Sequence, residues 1–174
     1  MCGIAGLIWK GGVTSDIGSE MTQMLQALKH RGPDSTGFAL YGKSDDDVHV
    51  LRFKVAEQEE MKTGFDIHRQ VVERKAAVDV RLEELGADVI KKEDATEYAF
   101  RYLFKFNGDL KRLIDFIEDL EGVEILSVGK GLELIKDLGD AAVGSDQYGL
   151  KGFNGTHAIG HTRMATESDV DIRS

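Results

Sequence analysis

Apolar positions fall in short blocks along this chain, and their spacing changes from block to block. Ile4 to Trp9 is a continuous apolar run of strand length, closed by Lys10-Gly11-Gly12 as a turn. Thr14, Ser15 and Asp16 offer helix caps, and Ile17, Met21, Met24, Leu25 and Leu28 then recur along one helical face. The spacing predicts a helix over 16–29 with that face in a core. Residues 38–41 and 48–53 read as strands on either side of a polar loop containing Asp45-Asp46-Asp47.

From about Glu57 the chain becomes highly charged and has periodicities of its own. A helix is predicted over 66–85, with Val71, Val78, Leu82 and Leu85 on one face and Gly86 as its stop. A short strand over 87–91 follows. Tyr98, Phe100, Tyr102, Phe104 and Phe106 then alternate with other residues, as a strand with an aromatic face does. Asn107-Gly108-Asp109 turns the chain into a helix with the stripe Leu110, Leu113, Ile114, Ile117 and Leu120, ended by Gly122. Residues 123–128 read as a strand. Helix, strand, strand, helix and strand make a compact α+β unit. The chain is therefore expected to hold one domain in two pieces, 1–56 and 145–174, around an inserted α+β subdomain, 57–144. Gly129-Lys130-Gly131 lacks the longer spacing of a phosphate loop and reads as a turn.

Composition narrows the classes of function. The 174 residues are 41% hydrophobic, enough for a real core, and carry a net charge of -9. An acidic chain argues against nucleic acid as a partner and against base stacking on the aromatic strand. No run approaches the roughly 20 apolar residues of a membrane span, and no basic segment precedes the first apolar run as in a secretory signal. A cytoplasmic setting is expected, where a lone thiol stays reduced. A single cysteine excludes an internal disulfide. Of the five histidines, only His157 and His161 are spaced as a metal pair on a helix would be, and their segment reads as a strand. No metal and no cofactor are expected.

Three stretches carry candidate chemistry. The single cysteine stands at position 2. Once Met1 is removed, Cys2 holds a thiol and a free α-amine, with unperturbed pKa values of about 8.5 and about 7.7–8.0, so one can serve as base for the other. Beside it, Gly3 is expected to leave room for a substrate. His30-Arg31-Gly32-Pro33-Asp34-Ser35 ends the first helix in a rigid turn built on the chain's single proline. A strand over 156–161 leads into His161-Thr162-Arg163-Met164-Ala165-Thr166, where an arginine flanked by threonines can grip a carboxylate through paired N–H donors. Read singly, each has a plain alternative: a small buried cysteine, a connector and a surface arginine.

In this combination and order the motifs resemble those of the class II glutamine amidotransferases, N-terminal-nucleophile enzymes with an αββα sandwich. Met164 after the arginine, Glu167-Ser168 and the long insert look like the amidotransferase subunit of archaeal-type glutamate synthases, and the corresponding chain of the methylamine-glutamate N-methyltransferases fits as well. The resemblance implies that Cys2 attacks the side-chain amide of glutamine and its amine moves the proton to the departing ammonia. A thioester forms, and water releases glutamate. Arg163 matches the residue that binds the glutamine α-carboxylate, and Thr166 one that shapes the pocket. Arg31, Gly32 and His161 match positions that support it. The implied partner is a synthase or other ammonia-accepting subunit. The family pattern continues beyond the arginine motif with an Asn-Gly pair for the oxyanion and an acidic residue for the substrate amine. The sequence ends before either, and Asn154-Gly155 precedes the arginine strand, so it is expected to be the N-terminal part of an incomplete sandwich. A non-catalytic binding or regulatory module derived from such a domain is the alternative.

Intact mass of the purified protein is expected to show loss of Met1. Quantitative retention would leave Cys2 without a free amine and remove the base from the mechanism.

Overall fold

The computed structural model describes residues 2–32 and 34–164. In chain order the elements are β1 (Gly3–Ile8), β2 (Ser15–Asp16), α1 (Ile17–Ala27), β3 (Ser35–Gly42), β4 (His49–Lys54), α2 (Gln58–Thr63), α3 (Ile67–Glu84), β5 (Asp88–Asp94), β6 (Ala99–Lys105), α4 (Leu110–Glu118), β7 (Glu124–Gly129), β8 (Leu132–Leu138), α5 (Ala141–Gln147) and β9 (Asn154–Arg163). The architecture is α+β, with two antiparallel sheets. The chain divides into two compact units, one of residues 1–43 and 131–174 and one of residues 44–130.

In the first unit the sheet order is β1-β9-β3-β8, with β2 beside β1 on the same edge of β9. One face is covered by α1 and α5. Ile17, Met21 and Leu25 are fully buried there, opposite Leu40, Ile135 and Ala158. Asp16 caps α1 by accepting from the Ser19 N–H at 3.0 Å. Asp140 caps α5, accepting from the Ala142 and Val143 N–H groups, and it also takes Gln26 Nε2 at 2.8 Å and Lys29 Nζ at 2.6 Å from the end of α1. One carboxylate thus caps one helix and ties it to another.

Among the described residues no helix of this unit covers the second face, and residue alternation shows what it presents. Ile4 and Ile8 on β1 and Ile159 on β9 are 76%, 71% and 52% exposed. On β8 the usual pattern is partly inverted, with Ile135 on the helix side and Lys136 on the open side. Glu133 and Asp137 point to the helix side and are buried, while Leu132, Leu134 and Leu138 lie on the open side. Asp137 is satisfied inside by the Tyr148 hydroxyl, which donates to it at 2.6 Å.

The second unit has the sheet order β5-β6-β4-β7. Tyr102, Phe104, Leu51 and Phe53 are fully buried in its core, as are Val78, Leu82, Leu113 and Ile117 of α3 and α4. The aromatic strand is therefore a packing surface. Burial pushes the Tyr102 hydroxyl well above its usual range, with Asp79 adding to the effect.

The division of the chain differs from the one expected from composition. Residues 49–54 pair with β6 and β7 instead of joining the first sheet. Residues 132–144, expected in the insert, form β8 and the first part of α5, and β8 pairs with β3 along its length. Charge density was a poor guide here, because the acidic residues of β8 face inward.

The Asp140 carboxyl is held at about 2, first by Lys29 and then by its other hydrogen bonds, against desolvation. A carboxyl whose pKa falls on folding stabilises above its unfolded value near 3.9 and loses that contribution as pH falls through about 2. The shift corresponds to about 2–3 kcal/mol at most, and Lys29 is 53% exposed, which cuts it to about 1 kcal/mol. Asp140→Asn keeps the cap acceptor and loses the charge. Urea unfolding is expected to show a loss of about 1 kcal/mol at pH 7, shrinking to about half at pH 3.

Candidate active site

The sequence motifs meet at one end of the first unit's sheet. β9 is an inner strand, and its last residue, Arg163, pairs with Ser35, the first residue of β3. On its other edge Gly3 pairs with Thr162. Extending that register by one residue sets Cys2 across from Arg163. Cys2, Arg163 and Ser35 then form a row across three neighbouring strands, with spacings of about 4.8 Å. Cys2 is a free, exposed thiol.

Face assignments follow from contacts in the neighbouring rows. A Cβ built on Gly37 would lie 3.0 Å from His161 Cε1, so position 37 faces the same side as His161. By alternation Ser35, Arg163 and Cys2 share that side, the one opposite α1 and α5. A Cβ on Gly3 would lie 3.0 Å from Thr162 Oγ1 and 3.2 Å from Leu28 Cβ, on the helix side. Gly3 is buried, and the space it leaves is taken by those two side chains rather than by a substrate.

The connector from α1 to β3 clamps the end of β9. Residues 29–31 form one 3-10 turn, in which the Arg31 N–H donates to Leu28 O at 2.8 Å and the Gly32 N–H to Lys29 O at 3.1 Å. The Asp34 N–H donates to Arg163 O at 3.1 Å, and Gly139 N–H donates to Asp34 O at 2.9 Å. Gly32 has φ 178, extended backbone open to any residue. Close approach is what requires glycine: a Cβ there would lie 2.4 Å from the Arg163 carbonyl carbon and 2.7 Å from its Cα. Gly32 therefore packs on the backbone of Arg163, while Arg31 is exposed beside it.

His161 packs its ring on Gly37, and its Nδ1 is buried with no hydrogen-bond partner. It lines an apolar hollow of about 230 Å³ on the open face with Gly37, Ala39, Leu134, Lys136 and Ile159. His157 stacks on Tyr41 with ring centroids 3.9 Å apart. Four residues along a strand span about 13 Å, so the two histidines cannot share one ion. Thr166 and Pro33, named from the sequence, lie outside the described residues. Ser35 gives no comparable signal in the sequence: it stands inside the turn motif, and nothing there marks its hydroxyl as unpaired.

No family model matches the chain. Over 176 residues it is 38% identical to the "Putative glutamine amidotransferase" of Methanothermobacter thermautotrophicus, covering 98% of this chain and 54% of that protein. Over 172 residues it is 30% identical to the "Glutamine amidotransferase-like protein GlxB" of Rhizobium meliloti, covering 98% of this chain and 52% of that protein. The chain thus spans about half the length of the curated relatives it matches.

Where space and backbone allow, Gly→Ala stabilises by about 0.4–1 kcal/mol through the unfolded state. Gly32→Ala is expected to do the reverse and cost about 1–3 kcal/mol, as overpacking does. The shift in urea midpoint gives the sign directly.

Proposed function

We propose that this chain is the nucleophile-bearing part of a class II glutamine amidotransferase, with Cys2 as nucleophile and Arg163 as the carboxylate clamp. The observation that carries the reading is the convergence of Cys2 and Arg163 in one row at the end of β9, from opposite ends of the sequence. The names of the two relatives support the same class of activity.

The chemistry follows from the groups in that row. Removal of Met1 frees the Cys2 amine. The Cys2 thiol gives its proton to that amine, and Sγ bonds to the side-chain carbonyl carbon of glutamine. The amine then protonates the departing nitrogen as the C–N bond breaks, leaving a thioester and ammonia. Water attacks the thioester, the C–S bond breaks, and glutamate leaves. Arg163 fixes the other end of the substrate through two charge-assisted bonds, which converts binding energy into alignment of the amide over Cys2. Gly32, Arg31 and His161 position these groups, and Thr166 shapes the pocket. Donors for the oxyanion come from polypeptide beyond the arginine motif. The ammonia passes to a synthase-like acceptor subunit.

The open face of the first sheet supports the sandwich part of this reading. Exposed Ile4, Ile8 and Ile159, with the outward leucines of β8, make an apolar surface suited to a second sheet. In this proposal that sheet belongs to the half of the relatives' length that the chain does not span.

Arg163→Lys keeps the charge and loses the planar fork. With the second half supplied by co-expression, this change is expected to weaken glutamine use by about 1.5–3 kcal/mol in kcat/KM, and Arg163→Ala by more. Cys2→Ala is expected to abolish ammonia release. If Arg163→Ala hydrolyses glutamine as well as the wild type, the clamp role is wrong. If ammonia release does not depend on Cys2, the nucleophile assignment is wrong, and if no ammonia is released the chain is a non-catalytic module.

A further inference from the structure

Ser35 has a hydroxyl without a use in the fold. It opens β3, is 1% exposed, and its Oγ has no hydrogen-bond partner. Burying such a group unpaired costs stability, so an orphan of this kind in a site calls for a partner that arrives later. Thr162 Oγ1 and Ser145 Oγ are also orphaned, but Thr162 lies on the helix side of the sheet and Ser145 on α5. Ser35 alone of the three stands in the row with Arg163 and on its face.

We infer that Ser35 is a second substrate-binding residue, whose hydroxyl donates to the α-carboxylate held by Arg163; this rests on the amidotransferase reading. Side chains directly opposite on antiparallel strands have Cβ atoms about 4.5–5.5 Å apart, close enough for both to reach one carboxylate. A carboxylate has about four lone-pair positions, and the guanidinium fork uses two of them. Serine can fill a third without adding charge. The order across the sheet agrees with the substrate's own order. Cys2 and Ser35 lie on opposite sides of Arg163, two strand spacings or about 10 Å apart. The amide end therefore faces Cys2 and the carboxylate end faces Ser35.

The test uses the purified chain with Met1 removed, and its lone cysteine makes labelling unambiguous. Two electrophiles are compared. One is an α-amino acid with a terminal chloromethyl ketone, from which Cys2 Sγ displaces chloride. The other is chloroacetone, which has the same reacting group and no α-carboxylate. The ratio of their second-order labelling rates measures recognition of the amino-acid end. Ser35→Ala is expected to lower this ratio by about three- to ten-fold while leaving the chloroacetone rate unchanged. Its thermal midpoint is expected to hold or rise, by up to about 2–4 °C, because an unpaired buried hydroxyl is gone. A residue with a purely structural role would move the midpoint down and both rates together, and that result overturns the inference. So does an unchanged ratio in Ser35→Ala while Arg163→Ala abolishes the preference. If Arg163→Ala also leaves the ratio unchanged, the carboxylate-clamp reading falls and the role of Ser35 falls with it.

Discussion

The antiparallel pairing of β1 with β9 is the constraint on which the rest of the site depends. It joins the start of the chain to its far end, running from Gly3 opposite Thr162 to Ile8 opposite His157. A loop that long costs much entropy to close, and the pairing must be recovered through burial. β9 recovers it by being central: β1 and β2 line one edge, β3 the other, and α1 lies across it. Its glycines make the last contact possible. A Cβ on Gly160 would stand 2.6 Å from Leu25 Cδ1, and one on Gly155 2.4 Å from Ile17 Cδ1. The strand carries its motif at one end and the space for a helix along its length.

The first unit is continuous in space although its two segments are far apart in the chain. β3 and β8 pair residue by residue from Ser35 opposite Leu138 to Tyr41 opposite Leu132. The Gly42 N–H then donates to Gly131 O at 2.8 Å. Residues 44–130 enter the chain between the end of β3 and the start of β8, whereas Arg163 and Cys2 sit where β3 begins. Chain ends that lie close together are what allow a domain to be inserted without disturbing its host. The unit's aromatic core, built on Phe53, Tyr102 and Phe104, is its own.

Much of this was legible in the sequence, and the failures have physical causes. The helix of Ile17, Met21 and Leu25 and the stripe of Leu113 and Ile117 were read correctly because a 3.6-residue period has few competitors. The aromatic strand was read correctly as packing. The strand over 48–53 was recognised as a strand but assigned to the wrong sheet, since pairing partners are not written in local periodicity. β8 was missed because its inward residues include Glu133 and Asp137. The place of Gly3 beside Cys2 suggests substrate access, whereas its tight neighbours are Thr162 and Leu28. The pairing of Ser35 with Arg163 could not be foreseen, because it depends on the register of two distant strands.

β8 also links the fold to the proposed chemistry. A strand at the edge of a sheet with one solvated face should send its polar residues out. This one sends Glu133 and Asp137 toward the helices, where Asp137 meets the Tyr148 hydroxyl, and turns three leucines outward with Lys136. Burying two acids costs free energy that an ordinary two-layer unit would avoid. The inversion makes physical sense when both faces of the sheet are covered, the outer one by an apolar layer. The same face carries Ile4, Ile8 and Ile159, and at its end the row that holds Arg163. Covering it would exclude water from that row and strengthen each charge-assisted bond made there. Under the proposed reading, the apolar face and the polar row belong to one site, which a second layer would close around its substrate.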